Sequence, residues 1–243
     1  MEHLSTQALP VTHPTAPAPD RPGPLHGVRV VELTGEFCAF AGRLLADAGA
    51  DVIVVEPPEG SPQRAHAPFA DDTQGLETSL SWWAENTSKR GVVADLDTEE
   101  GRAFFNQLVA TADVLLEAET PGRLASLELD YPQLAALQPE LIHVAITPTG
   151  RSVDGEPGSG WNGDVTDLTL LARGGPMWSC GYDDHDLPPV RGRGNQGLRM
   201  AGHFAVMSTL TALLGRRALH DEGRPGGQFI DVSMVCLLYT SDA

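Results

Sequence analysis

The sequence predicts an α/β domain in which a parallel sheet is covered by helices on both faces. Short β-branched runs alternate with segments of helical apolar spacing along most of the chain. The first such unit, "VVELTGEFCAFAGRLLADAGADVIVVEPP" from Val30 to Pro58, is a strand, a tight turn, a helix and a second strand. A crossover that compact should be right-handed and its strands parallel. With 243 residues, 41% of them hydrophobic, the chain can fill one large domain or two small ones.

Residues 1–24 hold six prolines among small and polar neighbours, too little apolar surface for a core, so order is expected to begin near Leu25. Val28 to Leu33 is β-branched enough for burial on both faces. Phe37, Phe40, Ala41, Leu44, Leu45 and Ala48 then fall at helical spacing, and Gly49 stops the run. Asp51 to Glu56 is the second strand, closed by Pro57 and Pro58. Residues 59–80 read as irregular. "NTSKRGVVADL", 86–96, leads a basic loop into a third strand. Asp97 or Thr98 can cap the next helix, whose first turn is acidic and whose face is Phe104, Phe105, Leu108 and Val109. Val114 to Glu117 reads as a strand, Leu124 to Leu137 as one helix or two short ones, and residues 141–146 as a further buried strand. Residues 147–163, rich in Gly and Pro, read as a long loop of the functional kind. Helices are expected from about Asp164 to Ala172 and from about Leu198 to His220, and "GGQFIDVS" supplies a last strand.

Sixteen Lys and Arg against 33 Asp and Glu leave a formal charge of −17. That excess repels nucleic acid and anionic membranes, so neither is expected as a partner. Cys38, Cys180 and Cys236 are too scattered for a disulfide framework or a zinc site, which suits a reducing cytoplasm. No apolar run approaches a bilayer span, and no secretory leader is visible.

Several stretches carry ligand-type residues. "GRGNQG", Gly192 to Gly197, matches the letters of a dinucleotide fingerprint. That fingerprint requires a strand immediately before it, and the preceding "DLPPVR" makes a poor one. An NAD-dependent oxidoreductase is the minor reading. "CGYDDHD", 180–186, is contiguous in a loop and reads as an acidic turn rather than a metal site. His203 sits on an apolar helix and reads as a packed or partly exposed side chain rather than a catalyst. Lys89 and Arg90 form a basic pair in an acidic chain, either an anion contact or a solvated turn. Glu36, at the first strand-to-helix turn, favours the helix dipole but would repel a pyrophosphate placed there.

Five stretches together resemble the N-terminal part of the family III CoA-transferases, which include formyl-CoA, carnitine and succinyl-CoA-type transferases and α-methylacyl-CoA racemase. They are "LHGVRVVELT", "GRLLADAGADVIVVEPP", "NTSKRGVVADLDTEEGRAFFNQLVATADVLLEAETPG", "LASLELDYPQLAALQPELIHVAITPTG" and "GRPGGQFIDVS", in family order across residues 25–233. The resemblance implies a Rossmann-like large domain at 25–235, moving CoA between an acyl-CoA and a carboxylic acid. CoA then enters as a substrate, not as a tightly held cofactor. The resemblance further implies an interlocked homodimer or a heteromer. Glu36, Lys89, Arg90, Asp95, Leu96 and Asp97 are expected along the CoA groove.

The sequence also departs from the family. The aspartate that forms a covalent relay with CoA in these enzymes aligns with Leu198, which is no nucleophile, so no catalytic residue is assigned. The racemase histidine would fall near Thr166. The family's "ENFRPG" is "EAETPG" here, and Pro57 and Ser126 stand where basic residues are common. Asp167 matches a family aspartate but is not assigned as nucleophile. These departures open the alternative of a non-catalytic acyl-CoA-binding subunit, or half of a tandem or heteromeric transferase. "CLLYTSDA", 236–243, resembles a translated sequencing adapter, so it reads as a non-native tail on a partial chain, its alternative being the start of another helix.

Overall fold

The computed structural model describes residues 22–151, 165–180 and 186–240. Six parallel strands form the sheet: β1 (Arg29–Leu33), β2 (Asp51–Glu56), β3 (Arg90–Val93), β4 (Val114–Glu117), β5 (Ile142–Thr147) and β6 (Gln228–Ser233). Their order is β3-β2-β1-β4-β5-β6, so the chain reverses its direction of sheet growth between β1 and β4. Sheets of this order open a crevice beyond the carboxyl ends of the two central strands. The turns that follow β1 and β4 therefore define where a ligand would sit.

Burial on both faces explains why the central strands read as unbroken apolar runs. Val30, Val114, Leu116, Ile142, Val144 and Ile146 point to one face, under helices α1 (Glu36–Asp47), α6 (Asp167–Gly174), α8 (Gln196–Asp221) and α9 (Met234–Thr240). Val31, Leu33, Val55 and Leu115 point to the other, under α3 (Glu99–Val109), α4 (Arg123–Ser126) and α5 (Tyr131–Leu137). The expected loop at 147–163 falls largely outside the described residues. The acidic turn does so at 181–185, as do most of the leader and the last three residues. Residues 236–240 lie in α9, where Leu238 is buried beside Gly174.

The segment expected to be irregular, 59–80, contains two short 3-10 turns at Pro62–Ala65 and Ala70–Asp72, and it feeds a six-residue helix, α2 (Leu80–Glu85). Ser79 caps that helix by accepting from the Trp82 amide at 3.2 Å. Six residues make less than two turns, too few for an apolar period to show. Helix α7 (Pro176–Ser179) is shorter still. Thr98 caps α3 by accepting from Gly101 N at 3.0 Å, which decides between the two candidate caps.

One ion pair lies inside the first layer of helices. Glu32 on β1 and Lys89, just before β3, meet at 2.9 Å with both side chains only 1% exposed. The Lys89 ammonium also donates to the Ala39 carbonyl in α1 and to Asn86 Oδ1. The pair fits because residue 42 is glycine. A Cβ there would overlap Glu32 Oε2 and stand 3.1 Å from Lys89 Nζ. Burial pushes the Glu32 carboxyl up to about 7, against the pull of Lys89.

Two outcomes follow from this packing. In most helix interiors Gly→Ala stabilises by up to about 1 kcal/mol; here Gly42→Ala forces the buried pair apart and should cost about 2–3 kcal/mol in urea unfolding, at unchanged m. A folded-state pKa raised above the ordinary carboxylate value means that Glu32 stabilises fully below about 4.5, and that the contribution is lost as pH rises through about 7. Lys89→Met strands that carboxylate, so its cost should grow from pH 5 to about 3–5 kcal/mol at pH 8. An equal cost at both pH values would contradict this account of the pair.

Candidate functional site

The turn after β1 runs Thr34-Gly35-Glu36 directly into α1. Gly35 is in extended backbone at the N-cap, offers no side-chain cap, and faces Ala118 beyond the end of β4. Glu36 in the first turn complements the helix dipole. Beside this turn lies a cavity of about 650 Å³. Glu36 and Phe40 of α1 form one wall, and Asn195, Leu198 and Arg199 at the start of α8 form another. The segment 63–68 and the α2 residues Leu80, Ser81, Ala84 and Glu85 complete it.

The α8 wall is held in place by packing and by one carboxylate. Gly202 lets α8 approach α1 closely, since a Cβ there would stand 2.8 Å from Phe40 Cδ1. Asp167, at the start of α6, accepts from the Gly197 amide at 2.7 Å and so caps the long helix from outside. Its second oxygen is buried without a hydrogen-bond donor, 3.8 Å from Arg191 Nε. Leu198, one residue further on, is 6% exposed and packs into the core while lining the cavity. Its isobutyl group supplies neither a nucleophile nor a proton carrier. His203 is exposed, with its ring edge-on to Phe40 at 5.1 Å and its Nδ1 against the Arg199 carbonyl.

The cavity's other walls depend on Arg64. Its guanidinium makes two hydrogen bonds to Glu56 at the end of β2, at 2.6 and 2.8 Å, and lies 4.1 Å over the Trp82 ring. Burial disfavours the Glu56 anion, but the Arg64 bonds and the Ser61 amide outweigh it and hold the carboxyl below the usual range. In a dinucleotide-binding sheet, an acid at the end of β2 takes the ribose hydroxyls. Here that acid is consumed by Arg64. No strand occupies residues 187–191 before "GRGNQG", which forms instead the turn into α8, with Gly194 and Asn195 in the left-handed region. The strand that the NAD reading requires before those glycines is therefore missing.

Of the residues expected along the groove, Glu36 alone lines the cavity. Asp95, Leu96 and Asp97 form the turn at the carboxyl end of β3, two strands away. The Asp97 amide donates to Asp95 Oδ1, Arg123 pairs with Asp97 at 2.7 Å, and Leu96 packs against the second core. Lys89 faces the interior with three acceptors around it. Arg90 stands at the opposite, amino-terminal edge of the sheet, where it forks onto Asp51 at 2.6–2.9 Å. Gln63, His66, Ser81, Glu85 and Arg199 line the cavity and were not foreseen: 59–80 offered no periodic signal, the six-residue α2 is too short for one, and Arg199 was read only as part of a helix. At the end of β4, Glu117 is fully buried, with Arg151 against one oxygen and the Glu119 amide at 2.7 Å from the other. Burial and neighbouring Glu117 push the Glu119 carboxyl up. Among the described residues no group of three or more His, Cys, Asp or Glu could hold a metal ion, and no helix is long and apolar enough to cross a membrane.

Known proteins share both the sequence and the fold. The model of CoA-transferase family III matches residues 25–239. The BbsE subunit of succinyl-CoA:(R)-benzylsuccinate CoA-transferase from Thauera aromatica is 37% identical over 85% of this chain and 48% of its own length. A succinate–glutarate CoA-transferase from Agrobacterium fabrum is 36% identical over 89% of this chain and 52% of its own. The crystal structure of a CAIB/BAIF family protein from Brucella suis superposes with a TM-score of 0.78 at 32% identity, covering 92% of this chain and 56% of that one. The chain thus spans about half the length of the curated relatives it matches. The six-stranded parallel sheet, its helical layers and these matches lead to one assignment: the chain belongs to CoA-transferase family III.

Proposed function

We propose that this chain binds an acyl-CoA for transfer of CoA to a carboxylic acid, and that the attacking carboxylate comes from a different subunit. The observation that carries the proposal is the cavity between the N-termini of α1 and α8, in a member of a family of CoA-transferases. The chemistry of such transfer needs a carboxylate near the thioester, to form an anhydride and then hold CoA as an enzyme thioester. At the position aligned with that carboxylate the cavity presents Leu198. A relative named as a subunit, at 37% identity, fits a division of labour between chains.

In this reading the thioester end lies in the cavity and the nucleotide runs over the carboxyl ends of the strands, past Glu36 toward the Asp95-Leu96-Asp97 turn. Lys89 acts from within the fold by fixing α1, and Arg90, exposed at the amino-terminal edge, ties β3 to β2 through Asp51. The acid and acceptor resemble those of the relatives only in being carboxylic acids. The protein is expected to work where CoA is free in solution, as in the cytoplasm.

The test is CoA exchange between an acyl-CoA and a free acid, run with the complete gene product and with Leu198→Asp. The parent alone should bind CoA without exchange, and the variant should gain exchange together with a trapped enzyme–CoA thioester. Exchange by the parent alone would overturn the shared-carboxylate reading.

A further inference from the structure

We propose that Asn86 is a positioning residue for acyl-CoA binding, the relay through which the buried Lys89 ammonium places α2 and Gln63 against α1 around the cavity. The inference rests on the CoA-binding reading and adds the residue that holds the site's walls in register. Those walls come from four separate pieces of chain: α1, the segment 63–68, α2 and the start of α8. A helix of six residues, as α2 is, has little stability of its own and takes its place from its contacts.

Asn86 stands at the joint. It is the C-cap of α2, directly after Glu85, and its side-chain amide works in both directions. Its Oδ1 accepts from Lys89 Nζ at 3.0 Å. Its Nδ2 donates to the Trp82 carbonyl of α2 at 3.1 Å and to Gln63 Oε1 at 3.4 Å. Lys89 in turn donates to the Ala39 carbonyl at 2.9 Å, one residue before Phe40 of the α1 wall. Its pairing with Glu32 anchors the whole chain of contacts on the central strand β1. Gln63 lines the cavity at only 5% exposure, so its amide has little water to fall back on. The Gln63 main chain is held independently: its N–H donates to Ser61 Oγ at 3.2 Å, and its carbonyl accepts from the Ser79 hydroxyl at 3.4 Å. Removing the Asn86 amide therefore leaves the segment folded and the ammonium with two acceptors, while α2 and the Gln63 side chain lose their tie to α1.

The experiment measures CoA binding by calorimetry on the complete gene product, at a temperature where circular dichroism shows every variant folded. It compares the parent, Asn86→Ala, Gln63→Leu, their double variant, and Val109→Ala. Val109 is buried in α3 under the opposite face of the sheet, so its truncation lowers stability away from the cavity. Asn86→Ala should weaken CoA binding about tenfold, the effect of a buried hydrogen bond left unmade. Val109→Ala should stay within about twofold of the parent. The double variant should bind as Asn86→Ala does, because Gln63 acts through Asn86. Parent-like binding by Asn86→Ala, equal weakening by Val109→Ala, or fully additive losses in the double variant each overturn the positioning role and leave the CoA reading intact. Should Asn86→Ala not fold, Gln63→Leu decides: weakened binding supports the role and parent-like binding overturns it. No CoA binding by the parent overturns both readings.

Discussion

The buried pair of Glu32 and Lys89 fixes the geometry on which the rest of the domain relies. It joins three pieces distant in sequence: the middle of β1, the underside of α1, and the chain entering β3. An ion pair taken fully out of water is held by geometry, since its attraction must offset the loss of hydration. Here Lys89 has three acceptors, and Gly42 supplies the room. The tilt of α1 over the sheet follows, and with it the position of Glu36 and Phe40. Through the contact of Gly202 with Phe40, the register of α8 against α1 follows as well.

Charge at the carboxyl edge of the sheet is organised by the same economy. The chain has few cations, and the described ones near that edge are engaged. Arg64 is held by Glu56, Arg151 by Glu117 and Asp130, and Arg123 by Asp97. They brace loops over the sheet: Arg64 fixes the segment lining the cavity, and the Arg151 amide and side chain together tie the end of β5 to Asp231 of β6 and to β4. A phosphate-bearing ligand on such an edge would meet main-chain amides more than free guanidinium groups. Arg199, half-exposed in the cavity wall, has only a long 3.5 Å ion-pair contact among the described residues, to Glu85, and gives the cavity its cationic group.

The sheet was legible because its strands are short, β-branched and buried on both sides, and because several helices between them have a capping residue or an acidic first turn. Thr98 before α3 and Glu36 in α1 are examples. The resemblance supplied the family, and the fold agrees with it. Individual roles were less legible. Lys89 and Arg90 are adjacent in sequence, and adjacency suggested one shared anion. In a strand, successive side chains point to opposite faces, and the fold sends one inward beneath α1 and the other out to Asp51. The cavity was hidden because two of its walls come from 63–68 and the short α2, where Ser79 and the Arg64–Trp82 stack replace any periodic pattern. Leu198 was read from alignment, and the structure adds that it faces the cavity while anchored in the core.

The central claim is that the cavity between α1 and α8 receives the thioester end of an acyl-CoA. Amide hydrogen exchange of the complete gene product, with and without saturating CoA, tests it most directly. The account predicts slowed exchange at 34–40, 63–68 and 195–199, the segments that line the cavity or lead into it. Protection confined to the α3–α5 face, or no change anywhere on adding CoA, would contradict it.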